Sequence, residues 1–240
     1  MSATEISNRY ISSPIYPRML GYTVSLAMHV ANAVHMLNTF KGDVLNDPDI
    51  KQFNDDQLKF LTVWNVYMQI FYSALGLSCD VLSLANEGKS SSLLKTLKRI
   101  RDPLFSAVVF PFSCTVSFMF WTASSYDRSV ILPPSVDKIL STAANHIIHT
   151  AVVPVVLWEI VFRPRRRPES HVSNLVLMYI YAAAYLAVLV TSYITLGVWV
   201  YPILNLLDGT AYLPLFVGAA IVCAQIFYCL QWYLTDLVWK

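Results

Sequence analysis

The chain has 240 residues, of which 56% are hydrophobic and only 13% charged, with a mean hydropathy of +0.51. A soluble domain of this length carries roughly 25% charge, so the composition excludes an ordinary soluble enzyme and points to a protein of the bilayer. The formal net charge of +2 says little about partners; the positions of the charges say more.

Residues 1–18 are too polar to form the apolar core of a signal peptide, and no small-residue cleavage site follows the first apolar run. That run therefore reads as an uncleaved first span. Six apolar segments follow in order: Met19 to Phe40, Phe60 to Leu82, Leu104 to Ala123, Ile139 to Phe162, Asn174 to Leu196, and Ala211 to Leu234. Each approaches the roughly 20 residues a helix needs to cross ~30 Å of hydrocarbon. The expected architecture is all-α: one polytopic domain over residues 1–240, with six transmembrane helices, short loops and antiparallel neighbours. The first segment is interrupted by His29, Asn32 and His35.

Orientation follows from Lys and Arg. Arg9, Arg18, Lys89, Lys95, Lys98, Arg99, Arg101, Arg163, Arg165, Arg166, Arg167 and Lys240 fall on one side, twelve of the seventeen basic residues. Lys41, Lys51, Lys59, Arg128 and Lys138 fall on the other. The positive-inside rule then puts both termini in the cytoplasm. The RPRRRP run after the fourth segment reads as a topology anchor or an anionic-lipid contact rather than a nucleic-acid site. Cys79, Cys114, Cys223 and Cys229 lie within or at the ends of apolar segments, form no CxxC pair, and indicate neither a disulfide framework nor a zinc site.

Polar residues inside the spans carry the functional signal, because lipid cannot satisfy them. At 100° per residue, Thr62, Asn65, Gln69, Ser73, Gly76 and Asp80 fall in one stripe about 80° wide on the second span. On the fourth, Asn145, His149 and Glu159 share a face, and His146 stands to one side. Ser25, His29, Asn32 and Thr39 do the same on the first. Interhelical hydrogen bonding alone can account for such groups, which leaves a non-enzymatic membrane regulator or scaffold as one reading. A hydrolase needs an oxygen nucleophile beside an imidazole. A haem protein needs axial histidines on facing helices, here His29 or His35 opposite His146 or His149. A proton or metal conduit is disfavoured, since no carboxylate falls mid-span and no third zinc ligand is evident.

The segments KFLTVWNVYMQIFY (59–72), LKRIRDPLFSAVVFPFSCTVSFMFW (97–121), ANHIIHTAVVPVVLWEIVFRP (144–164) and GVWVYPIL (197–204) resemble the androgen-induced and androgen-dependent-regulator family of multipass membrane proteins. The resemblance runs in the same order from about residue 20 to 235, and the NH-x-x-HT run followed by a proline and E-x-x-x-RP is its most specific piece. It implies a six-span threonine hydrolase that cleaves fatty acid esters of hydroxy fatty acids to a fatty acid and a hydroxy fatty acid. It also implies Thr62 as nucleophile and His149 as the essential histidine. No cofactor or metal is expected, and the implied partners are a lipid ester within the bilayer and membrane lipids, not nucleic acid. The membrane would be the plasma membrane or the endoplasmic reticulum. Thr62 is internal, so an external base is required; Asn65 or Asn145 could supply an oxyanion donor or orient the imidazole, and His146 is the alternative base. Counting residues from the same membrane face, Thr62 lies ~5 Å deep and His149 ~15 Å deep. The pair meets only if tilt or a displaced helix start closes that gap.

Overall fold

The computed structural model describes residues 15–86 and 91–239, so Arg9, Lys89 and Lys240 of the orientation count lie outside the described residues. Ten helices are formed there: α1 (Ile15–Thr39), α2 (Pro48–Asp55), α3 (Leu61–Ala85), α4 (Ser92–Tyr126), α5 (Pro134–Ile139), α6 (Thr142–His149), α7 (Val152–Phe162), α8 (Val172–Leu196), α9 (Pro202–Leu207) and α10 (Tyr212–Trp239). No strand occurs among the described residues. Four helices, α3, α4, α8 and α10, are each long and apolar enough to cross a bilayer, and the bent pair α6–α7 makes a fifth if counted as one span. α1 has the length, 25 residues, but not the apolarity of these five.

The reason is that α1 is built inside out. Its buried face is Arg18, Tyr22, Ser25, His29 and Asn32, while Leu20, Val24, Val30, Val34 and Leu37 point outward. The three-and-four spacing of those polar residues turns them onto one stripe. α3, its main neighbour, answers with Asn65, Gln69, Ser73 and Asp80 on its own buried face. The two stripes bond across the interface: Ser73 Oγ donates to Ser25 Oγ at 2.9 Å, and His29 Nε2 meets Gln69 Oε1 at 2.8 Å. Gly76 permits the approach, since a Cβ there would sit 2.5 Å from the Tyr22 ring.

α4 is the central helix and runs 35 residues, ~52 Å, well beyond a hydrocarbon core. The basic stretch Lys95–Arg101, expected in a loop, is instead its first turns, capped by Ser91 Oγ accepting from the Leu94 amide. One π turn, Phe105–Val109, interrupts it at the most buried point of the bundle. Pro111 has no N–H for the carbonyl of Ala107, four residues back, and the helix widens there to accommodate the loss.

The expected fourth span is the most altered element. It divides at Thr150–Ala151, with a 40° bend between α6 and α7. Pro154 causes the break: it cannot donate to the carbonyl of Thr150, and its ring crowds that group. The amides of Thr150 and Ala151 both turn back to the His146 carbonyl, at 2.8 and 2.9 Å.

The connections at residues 40–60, 127–141 and 197–211 gather at one end. Phe40, Ile50, Leu132, Val136 and Leu140 pack there into an apolar cap, and α2, seated by Asp47 as its N-cap, lies against α5.

Candidate active site

Thr62 is the second residue of α3, and His149 is the last residue of α6. Their side chains meet: Thr62 Oγ1 lies 3.3 Å from His149 Nε2. That is looser than the ~2.8 Å of a tight hydroxyl bond, as is common before a substrate draws nucleophile and base together. The depth gap expected from residue counting is closed because α6 ends where the chain bends. His149 sits at a corner, not ten residues along a straight span.

The geometry fixes the tautomer. His149 Nδ1 is 3.1 Å from the backbone carbonyl of Asn145 and 2.9 Å from Asn145 Oδ1. A carbonyl only accepts, so Nδ1 carries the proton and Nε2 presents a lone pair to the Thr62 hydroxyl. Phe120 stacks on the imidazole at 3.4 Å between centroids and 6° between planes, which holds the ring in that plane. Both dipoles favour proton transfer: a developing negative charge on Thr62 lies at a helix N-terminus, and the resulting imidazolium lies at a helix C-terminus.

The start of α3 is itself pinned. The Leu61 amide donates to Tyr185 Oη at 3.0 Å and to Tyr201 Oη at 2.9 Å. Tyr185 donates onward to the Lys59 carbonyl, and its hydroxyl accepts from Tyr201 at 3.0 Å. Burial raises the Tyr201 phenol above its ordinary pKa, so it remains a neutral donor. Neither tyrosine stood out from the sequence as a support of the site: Tyr201 reads as one of the aromatic residues expected near span ends, and Tyr185 lies in the middle of α8.

Thr62 and His149 open onto a cavity of about 230 Å³. Its walls are almost wholly apolar, with Phe112, Val116 and Phe120 from α4 and Leu186 and Leu189 from α8. Gln57, Thr115, Tyr185 and Tyr201 are the other polar residues on it. Water is scarce in such a space, and a hydroxyl–imidazole pair there is neither a salt bridge nor a packing contact.

The remaining candidates are placed elsewhere. Asn145 is committed to His149. Asn65 lies one turn beyond Thr62, off the cavity wall, where its Oδ1 accepts from Ser113 at 2.9 Å and its Nδ2 is buried without a partner. His146 is exposed, stacked against Trp121 and bonded to Thr150, so the structure does not bring it to Thr62. Of the histidines that a haem iron would need, His29 meets Gln69 through Nε2, His35 meets Ser141, His146 meets Thr150 through Nδ1, and His149 is held by Thr62 and Asn145, while His29 Nδ1 is buried without a partner. No group of three or more potential metal ligands occurs among the described residues.

A family model described as FAR-17a/AIG1-like protein matches residues 24–234. The chain belongs to the FAR-17a/AIG1-like family. It is 31% identical to the androgen-dependent TFPI-regulating protein of Mus musculus over 183 residues, covering 76% of this chain and 78% of that one. The Homo sapiens protein of the same name is 35% identical over 168 residues, 68% and 70% of the two chains. The Homo sapiens androgen-induced gene 1 protein is 28% identical over 185 residues, 75% and 77%. No solved structure matches the chain. As a member of the FAR-17a/AIG1-like family, it is a multipass membrane protein built of helices.

Proposed function

We propose that this member of the family is an integral membrane hydrolase of lipid esters, acting on fatty acid esters of hydroxy fatty acids. The observation that carries the reading is the contact between Thr62 Oγ1 and the unprotonated Nε2 of His149 at the edge of an apolar cavity. His149 Nε2 takes the Thr62 proton as Oγ1 bonds to the ester carbonyl carbon. The tetrahedral oxyanion collapses, the ester C–O bond breaks, and the hydroxy fatty acid leaves with the proton from His149. Water, deprotonated by the same nitrogen, then attacks the acyl-threonine, releases the fatty acid and restores Thr62. The N-terminal end of α3 stabilises the oxyanion. Asn145 fixes the imidazole tautomer.

In this reading α1 is a sixth span, admitted to the bilayer because its polar face is turned inward, and both termini are cytoplasmic. The apolar cap and the Thr62 end of α3 then face away from the cytoplasm. A plasma-membrane or endoplasmic-reticulum location suits a substrate dissolved in lipid.

The test is a fluorophosphonate probe with an ester assay beside it. Purified protein is expected to take the label and to release free fatty acid, and Thr62→Ala to do neither at unchanged expression. Labelling or hydrolysis that survives both Thr62→Ala and His149→Ala would remove the assignment and favour a regulator whose polar stripes only join helices.

A further inference from the structure

One wall of the cavity is made by side chains of two helices that make few contacts with each other. α8 and α10 form its far wall, each through one face: Ala182, Leu186 and Leu189 on α8, and Phe216, Ala220 and Ile221 on α10. These two helices scarcely touch each other; α10 packs on α4, and α8 rests on the π turn of α4 and the turn before α3. What joins them lies toward the other end of the bundle, where Tyr179 bonds to Gln225 and where Met178 packs with Ala224, Tyr228 and Trp232. Toward the cap, Leu213 and Phe216 of α10 pack against the cluster of Tyr185, Leu189 and Leu204, so side chains and not helix-on-helix packing fill the space between α8 and α10 there. The lining changes character there too. Phe112, Val116 and Phe120 on the α4 wall are buried, whereas Ala182, Leu186, Phe216, Ala220 and Ile221 are part-exposed.

Size gives the gap its use. A pocket that encloses a drug-sized ligand measures roughly 300–1,000 Å³, and this cavity measures about 230 Å³. An ester with two long chains cannot be enclosed in it, so at least one chain has to leave the protein while the carbonyl stays beside Thr62. Around α8 and α10 the surrounding medium is the bilayer, since both are spans. A hydrocarbon tail leaving sideways keeps its methylenes out of water.

We infer that the cleft between α8 and α10 is a lateral portal for an acyl chain, with Ala182 and Ala220 as the small residues that keep it open. This rests on the ester-hydrolase reading for the identity of the substrate, but not for the existence of the portal. The two are therefore read separately. In vesicles containing palmitic acid with a diazirine at its ω end, illumination should cross-link the probe to peptides spanning 182–189 and 216–221. The cross-link should persist in Thr62→Ala and fall at least tenfold in Ala182→Trp and in Ala220→Trp. Ala183→Trp, on the exposed face of α8, should leave it unchanged. In the esterase assay, the same two variants should lower the ratio of kcat/KM for palmitoyl to that for acetyl p-nitrophenyl ester at least tenfold relative to wild type.

Cross-links confined to the outward faces of the bundle, or equal in all five proteins, would overturn the portal; the wild-type map needs no variant to fold. Wild type that cross-links at the cleft yet hydrolyses no ester would overturn the hydrolase reading and leave the portal standing. A long-to-short ratio lowered as much by Ala183→Trp would overturn the roles of Ala182 and Ala220.

Discussion

Two buried polar regions occupy the same bundle, one near each end of α3. Around Glu159, 3% exposed, every charge has an answer. Its carboxylate accepts from Tyr22 at 2.6 Å, from Tyr72 at 2.5 Å and from Arg163 at 2.6 Å. Arg163 also reaches Asp102, which is bonded by Arg101, and Arg18 grips Asp80 through two bonds of 2.9 and 3.0 Å. At the other end, Thr62 and His149 have each other and then a cavity. In the first region the carboxylates are matched by cations and phenols beside a space of only about 10 Å³, which leaves no room for a substrate. The second has a hydroxyl and an imidazole with open volume beside them, which folding alone does not call for.

The sharpest way to break this contrast is to remove one member from each region and measure activity and stability together. Thr62→Ala and His149→Ala should each lower ester hydrolysis by a factor on the order of 10³, within the range ascribed to lost nucleophile or base. The thermal midpoint should move by no more than about 2 °C in Thr62→Ala, whose side chain is only partly buried, and further in His149→Ala, which also gives up the stack on Phe120 and the bonds to Asn145. A large fall in stability with Thr62→Ala would move the pair into the structural class.

Glu159→Gln should do the converse. Removing one partner of a buried ion pair costs about 3–5 kcal/mol, here taking from Arg163 its buried carboxylate and leaving it the more exposed Asp102. Denaturation in detergent should show that loss, while activity per folded molecule is retained. Catalysis falling with a half-life of unfolding unchanged would reverse the assignment of the two regions.

How much of this was legible beforehand follows from what each residue does. The stripe on α3 could be read because lipid forbids unsatisfied polar groups and helical spacing shows which way they point; Gln69, Ser73 and Asp80 all face inward. The positions of the four long apolar helices and of the bent pair followed from hydropathy. The bend could have been read from Pro154 by its missing donor, yet residue counting along a straight helix predicted a height mismatch. The arginines misled in another way. Arg163 and Arg165 look like loop charges in RPRRRP, but Arg163 is buried against Glu159, and Arg165 reaches Ser106 and Gln231 and covers the rings of Phe105 and Trp232. Only Arg166 and Arg167 are exposed in the manner of an anchor. Charge sign was visible in the sequence; the tertiary partners that absorb it were not.

Packing between the regions offers a smaller effect. Gly76→Ala places a Cβ 2.5 Å from the Tyr22 ring and pushes that hydroxyl off Glu159. Overpacking of this kind costs about 1–3 kcal/mol. Combining it with Tyr22→Ala should cost less than the two separately, since the clash is relieved when the ring is gone. Additive losses would mean that α1 and α3 adjust without disturbing the carboxylate.

Tyr201→Phe should give the smallest change and the most discriminating one. The hydroxyl does not reach Thr62; it accepts from the Leu61 amide and donates to Tyr185, so it acts by fixing where α3 begins. Deleting it removes hydrogen bonds worth about 1 kcal/mol in all, and Tyr185 remains to accept from Leu61. If Tyr201 is only part of the scaffold, that is the whole effect, and kcat and KM stay as they were. If the start of α3 sets the 3.3 Å approach of Thr62 to His149, kcat should fall several-fold at constant KM, because the substrate still fills the same apolar walls while the attacking oxygen is less well held. Tyr185→Phe should behave alike and the double variant should exceed the sum, since each tyrosine covers for the other at a single amide. A rise in KM with kcat intact would instead make Tyr201 a contact of the substrate and not a support of the nucleophile.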